Sequence, residues 1–258
     1  MKQSDFIEMM ERIAPKELAL DYDNVGLLIG TEREIRRVLV ALDCTLSVAN
    51  EAAKLDVDLV LTHHPVFFHG VKRILPDDPE TAAAYRLIRS GIGLYAAHTN
   101  LDACLGGVND ALAEALELSE LRPFPFSTIG RIGKTQKPIP FADFLSLCNE
   151  RLNTSSRFYG NPDRMVRTVG VVGGAGGDLA EEAFFAGCDV FVTGEMKHHE
   201  ALAATFRDLL CIVPGHYETE SVVLKKWISR LQDEENDVQY YETTTERSPL
   251  IARQEEKA

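Results

Sequence analysis

The feature that most constrains how this chain can fold is an internal repetition. Glu51-Ala52 superposes on Glu182-Ala183, and without any gap Asp58 then falls on Asp189 and Thr62 on Thr193. At the same offset Val38 and Val40 fall on Val169 and Val171; separately, Asp5-Phe6 recurs as Asp143-Phe144 at corresponding helix starts. Self-similarity of this kind, with element order agreeing throughout, predicts two copies of one supersecondary unit.

Apolar periodicity gives each copy its elements, alternating helices and short strands in the pattern of an α/β protein. In the first half a helix is predicted over 5–13, with Phe6, Ile7, Met10 and Ile13 on one stripe and Pro15 closing it. Strands follow at Val25–Ile29, Val38–Leu42, Val57–Thr62 and Gly93–Ala97, with helices at 47–55 and 79–89. The second half repeats the order: helix 141–152, strand Val166–Val172, helix 179–186, strand Val190–Thr193, helix 199–207, strand Cys211–Val213, helix 219–231. The segment Pro123–Pro140 carries four prolines and reads as the junction. The expected organisation is therefore a first α/β repeat over 1–125, a second over 126–240, and a C-terminal segment over 241–258 ending in a solvated ARQEEKA tail.

Composition removes several alternatives. A chain of 258 residues with 45% apolar and 26% charged side chains can bury a sizeable core, which excludes disorder and a disulfide-knotted mini-protein. Twenty-seven basic against 40 acidic residues give a net charge of −13 with no basic run, which makes nucleic acid a poor partner. The N-terminus lacks an apolar stretch of signal-peptide length, and no segment approaches the ~18 to 20 apolar residues that span a bilayer. Five cysteines without Cys-x-x-Cys spacing read as free thiols in a reducing compartment. A cytoplasmic protein with no membrane partner is expected.

Chemically demanding residues gather where predicted strands end, the usual place for ligand sites in open α/β sheets. Leu61-Thr62-His63-His64-Pro65 closes the third strand. Adjacent strand residues point to opposite faces, but Pro65 forces an extended turn that lets two rings serve two neighbouring ions, one each. Two hydrogen-bonded histidines at a strand end are the plainer alternative. His98 to Asp102 and His216 to Glu220 are both His-x-x-x-carboxylate, each after the last predicted strand of its half. If each pair begins a helix, imidazole and carboxylate share one face. Either could be an ordinary helical ion pair. Taken with the duplication, they point instead to an expected site on a pseudo-two-fold axis with paired ligands from both halves. Imidazole with carboxylate suits Zn, Fe, Mn or Co rather than Ca or Mg, and two such ions activate water and polarise a carbonyl or phosphoryl oxygen.

Other features are weaker. Gly173–Gly177 followed by Asp178 could cradle an anion or form a tight turn with Asp178 capping the next helix. Gly133-Lys134-Thr135 imitates the end of a P-loop, but Thr128 stands where its first glycine is required. The run Gly194 to His199 could line the same cleft or simply start a helix. No Gly-x-Ser-x-Gly elbow is present and no cysteine has a histidine close in sequence, so nucleophilic catalysis lacks support.

At these residues the chain resembles the NIF-three-like family, whose members are often labelled GTP cyclohydrolase 1 type 2 homologues. The matching stretches are DNVGL from Asp23, LDCT from Leu42, LTHHPVFF from Leu61, HTNLD from His98, GRIG from Gly130, GGAGG from Gly173, VTGEMKHH from Val192 and GHYETE from Gly215. They run over nearly the whole chain in family order, in what looks like the short form without the extra domain of longer members. The resemblance implies two intertwined α/β repeats with mixed sheets and helices packed on them, and a toroidal homohexamer. It also implies two divalent ions per chain, with His63, His64, Asp102, His216 and Glu220 at metal-ligand positions. His98 matches a site histidine, expected as an additional ligand or as the acid/base that moves protons. The expected function is that of a metal-dependent hydrolase of a small nucleotide-like substrate, GTP ring opening being the form the label implies. The alternative is a non-enzymatic metal-binding or regulatory ring.

Overall fold

The computed structural model describes residues 1–249, and its contacts divide the chain into two compact units. One comprises Met1–Gly107 with Leu224–Glu246, and the other is built on Val108–Val223. The ARQEEKA tail lies outside the described residues.

The first unit opens with helix α1 (Gln3–Ile13), which buries Phe6, Met9, Met10 and Ile13 along one stripe. Then come β1 (Gly26–Ile29), β2 (Arg37–Ala41), α2 (Leu46–Leu55), β3 (Leu59–Thr62), α3 (Ala82–Ser90), β4 (Gly93–Ala96) and α4 (Thr99–Ala103). The second unit begins with α5 (Val108–Ala115), β5 (Ser119–Pro123), β6 (Arg131–Pro140), α6 (Phe141–Arg151) and β7 (Arg157–Tyr159). It continues with β8 (Met165–Val172), α7 (Ala180–Phe185), β9 (Val190–Thr193), α8 (His198–Phe206), β10 (Leu210–Val213) and α9 (His216–Glu220). Helix α10 (Val223–Glu234) leads back to the first unit, where β11 (Gln239–Glu242) joins its sheet.

The first sheet has the order β1-β4-β3-β2-β11, parallel except for β1, which runs antiparallel to β4. Leu39, Ala41, Val60 and Leu94 from its strands pack with Val48, Ala49 and Ala52 of α2 and Ala83 and Leu87 of α3. The second sheet has the order β5-β6-β8-β9-β10-β7, with β8, β9 and β10 parallel and the outer strands antiparallel. Both its faces are covered. Val190, Val192, Leu210 and Ile212 enter one core with Phe141 and Phe144, while their neighbours Phe191 and Cys211 enter the other. Each sheet thus contains the same three parallel strands, β2-β3-β4 and β8-β9-β10, as the repetition implies. Two mixed α/β sheets with helices packed on them are the expected fold class.

Two readings need correction. The segment read as a junction, Pro123–Pro140, instead holds β6, paired along both edges with β5 and β8. The register against β8 shifts between Lys134 and Ile139, a bulge that passes Pro138 without spending a ladder amide. The helix expected over 219–231 starts earlier, at His216, and is broken at Ser221-Val222. That break falls where the chain leaves the second unit for the first.

Candidate metal centre

The parallel strands of the first unit deliver three histidines from their carboxyl ends. His63 and His64 directly follow β3, and their amides extend the ladder by donating to the carbonyls of Ala41 and Leu42 at 3.2 and 2.8 Å. Thr62 Oγ1 donates to the His64 carbonyl at 2.8 Å, so the turn before Pro65 is held from both sides. Instead of pointing to opposite faces, the two rings lie with centroids 4.8 Å apart. His98, two residues after β4, sits 5.1 Å from the His63 ring and 5.4 Å from the His64 ring. One ring nitrogen from each of the three falls within 4.8 Å of the other two.

The hydrogen bonds say which nitrogen that is. Nδ1 of His63 donates to the Ala97 carbonyl at 2.9 Å, which can only accept. Nδ1 of His64 meets Asp43 Oδ1 at 2.9 Å, and Nδ1 of His98 meets the Asp23 carboxylate at 2.9 and 3.0 Å. Each ring therefore carries a proton on Nδ1, which leaves Nε2 as the nitrogen able to take a metal. Three converging lone pairs, each backed by a carbonyl or carboxylate, are the donor set of a transition-metal ion. The residues fit a bound divalent metal.

The Asp23 side chain is buried and ties this arrangement to helix α4: its carboxylate also accepts from Thr99 N at 3.0 Å and Thr99 Oγ1 at 2.5 Å. Burial pushes its carboxyl up, but the bonds from His98 and Thr99 outweigh that and hold it well below the usual carboxylate range. Asp102, on α4, places Oδ1 3.6 Å from His63 Nε2, too long for a hydrogen bond and suited to sharing a cation.

The second unit offers His216 and Glu220 on α9. His216 Nε2 lies 3.3 Å from Glu220 Oε1, and His216 Nδ1 is held by Glu195 Oε1 at 2.9 Å. This is the face-sharing that the four-residue spacing predicts. The first-half motif behaves differently. His98 is the N-cap of α4, whereas His216 is the first helical residue of α9, so the two motifs are one residue out of phase. With φ −105° and ψ −106° His98 lies off the helix face, and its ring turns to Asp23.

The Gly173–Gly177 loop packs on the α9 pair. Gly174 has φ +66°, and a Cβ there would meet Glu220 Oε1 at 2.2 Å. The amides of Gly173, Gly174 and Gly176 donate to Asn109 Oδ1, Thr219 Oγ1 and Thr193 Oγ1. These three amides are committed to protein acceptors and do not contribute to an anion cradle. Asp178 makes no side-chain cap at the following helix. His198 and His199 are exposed at the start of α8, whose first turn is capped by Glu200 through the Lys197 amide. All five cysteines are buried, and burial pushes Cys44, Cys188 and Cys211 up to about 12, which keeps these three thiols protonated at neutral pH.

Asp23 and Asp43, which orient two of the rings, are not among the expected site residues, while Glu195, which orients His216, falls within the run Gly194 to His199 expected to line the cleft or start a helix. The available signal was position: Asp43 follows β2 and Glu195 follows β9 just as His63-His64 follows β3.

Residues 1–249 match the model of a family described as Duf34/NIF3, NGG1p interacting factor 3. A Clostridium perfringens protein named a GTP cyclohydrolase 1 type 2 homologue is 31% identical, over 97% of this chain and 99% of its own length. A protein of the same name from Methanocaldococcus jannaschii is 34% identical over 88% of this chain and 93% of its own. Among solved structures, a Staphylococcus aureus hypothetical protein superposes with a TM-score of 0.92 at 29% identity, covering 98% of this chain and 99% of the other. A Bacillus cereus protein described as related to NIF3 gives 0.91 at 25% identity over 96% and 98%. No helix among the described residues is long and apolar enough to cross a membrane.

Proposed function

The chain belongs to the Duf34/NIF3 family, and on that premise we propose that it is a metal-dependent hydrolase of a small, nucleotide-like substrate. The ligands in this reading are His63, His64 and Asp102 of the first unit and His216 and Glu220 of the second, holding about two divalent ions per chain, of Zn, Fe, Mn or Co. The observation that carries it is the convergence of three imidazoles, each offering a ring nitrogen within 4.8 Å of the others and each held at Nδ1 by a hydrogen-bond acceptor. When bound, ions of this kind would supply an acidified water and polarise a carbonyl or phosphoryl oxygen, making its carbon or phosphorus more electrophilic. His98 carries the same Nδ1 tether as its two neighbours, which supports ligation; moving protons at Nε2 is the role it takes if metal stays bound in His98→Ala while turnover stops.

A cavity of about 860 Å³ in the first unit opens beside His64. Its walls include Phe67 and Phe68, which would stack on a planar ring, and Lys72 and Arg73, which would meet an anionic group. Its size lies in the range of small-molecule sites. The names of the relatives make GTP the first substrate to try.

The test is a screen of metal-loaded protein against GTP, other nucleoside triphosphates and phosphoesters. Turnover that vanishes in Asp102→Ala supports the reading, and turnover unchanged in that variant overturns it. We also propose assembly into a homohexameric ring. Support comes from α7 and α8, where Phe185 and Phe206 are 71% and 90% exposed, an unusual place for large apolar side chains in a monomer. Light scattering that finds a monomer would refute it.

A further inference from the structure

We infer that Glu246, at the far end of the chain, is a positioning residue for His64 and acts through Asp43. The inference rests on the metal-site reading above for its consequence, but its geometry stands by itself. Strand β11 pairs in parallel with β2, from Gln239 opposite Arg37 to Glu242 opposite Val40. The Thr243 amide then donates to the Val40 carbonyl at 3.0 Å. Three threonines follow, and Glu51 on α2 collects them: Thr243 Oγ1 at 2.5 Å, Thr244 N and Oγ1 at 3.0 and 2.6 Å, Thr245 Oγ1 at 3.0 Å. This clamp fixes the direction in which the next residue leaves, and Glu246 is delivered inward, only 6% exposed.

There its two carboxylate oxygens divide the work. Oε2 accepts the Leu42 amide at 3.0 Å and Oε1 the Asp43 amide at 2.7 Å. Two adjacent amides bound by one carboxylate hold the two peptide planes on either side of Leu42, and with them the backbone from which the Asp43 side chain leaves. Asp43 Oδ1 then accepts a hydrogen bond from His64 Nδ1–H at 2.9 Å. Asp43 is otherwise half exposed, with its side chain at 51%, so packing does not aim it. A carboxylate buried among backbone amides is costly unless fully used, and this one is used at the residue whose orientation decides the tautomer of a ligand ring.

The experiment compares wild type with Glu246→Gln, Asp43→Ala and the double variant. The first readout is the nitrogen NMR spectrum of the His64 ring in metal-free protein, which reports the Nδ1-H tautomer directly. The second is affinity for Co(II) by titration. Glu246→Gln is expected to lower the Nδ1-H population and to weaken Co(II) binding by about 10- to 100-fold. In the Asp43→Ala background the same change should produce little further loss, because the path is already cut. Should Glu246→Gln fail to fold, Glu246→Asp, which keeps both acceptor oxygens, replaces it, and a smaller loss of the same kind is expected. A lowered melting temperature with the His64 tautomer unchanged would overturn the inference, leaving Glu246 a purely structural anchor. Additive losses in the double variant would also overturn it. A tautomer shift in a protein that binds no Co(II) would uphold the positioning role while the metal reading failed.

Discussion

Asp58 and Asp189 make the same pair of hydrogen bonds in two different sheets. Asp58 Oδ2 accepts the amides of Arg36 and Arg37 at 2.9 and 3.0 Å, where β2 begins. Asp189 Oδ2 accepts those of Arg167 and Thr168 at 2.9 and 2.8 Å, at the matching place in β8. Each aspartate precedes the second parallel strand of its repeat and ties it to the first. The duplication thus extends to individual hydrogen bonds. Replacing either residue by alanine strands two amides, and a loss of about 1.5–3 kcal/mol is expected for each. Urea denaturation of Asp58→Ala and Asp189→Ala checks this, with similar losses expected because the contacts are equivalent.

Asp23 holds the His98 ring and caps α4 with the same carboxylate. Asp23→Ala is expected to weaken divalent-metal binding by about 10- to 100-fold. Loss of the cap should also cost about 1 kcal/mol of stability. Calorimetric titration with Zn alongside thermal unfolding separates the two effects, and Asp23→Asn, which keeps an acceptor, should fall between.

Gly174 takes a left-handed backbone beneath Glu220. Gly174→Ala adds a strained φ and drives a methyl against the carboxylate, so Glu220 must move. A stability loss of about 1–3 kcal/mol is expected. The metal content should drop further than for Gly187→Ala, where φ is also positive but no atom lies within 4 Å of the added carbon.

The buried thiols set a limit on the alkaline side. Burial raises Cys44, Cys188 and Cys211 to about 12 and raises Cys148 as well. An unfolded thiol titrates near ~8.5. The contribution to stability is therefore complete below about pH 8.5 and is lost as the pH rises toward about 12, because only the unfolded chain ionises there. Urea midpoints should fall steadily above about pH 9. Iodoacetamide at pH 8 should label these cysteines only when urea is present.

The parallel strands were legible because Val38, Val40, Val169, Val171, Val190 and Val192 form short, β-branched apolar runs of the kind a sheet covered on both faces requires. Strands β5, β7 and β11 were not, since their residues are mostly exposed and carry no such run. Strand β6 was masked by Pro138 and Pro140, which a bulge and a strand end accommodate. The histidines were legible from their strand ends, and so was the pairing of His216 with Glu220. The phase of His98 was not, because a four-residue spacing does not reveal which residue is the cap. Nor was Asp43, whose role depends on Glu246 more than two hundred residues away in sequence.

Metal content by elemental mass spectrometry tests the central claim most directly. The protein is purified without chelator beside His63→Ala and Glu220→Ala. About two ions per chain are expected for the wild type, with a clear drop in both variants. Fewer than about 0.2 ions per chain, persisting after anaerobic addition of Fe, Mn or Zn, would contradict it. The converging imidazoles would then be a hydrogen-bonded cluster, and the hydrolase reading would fall with the metal.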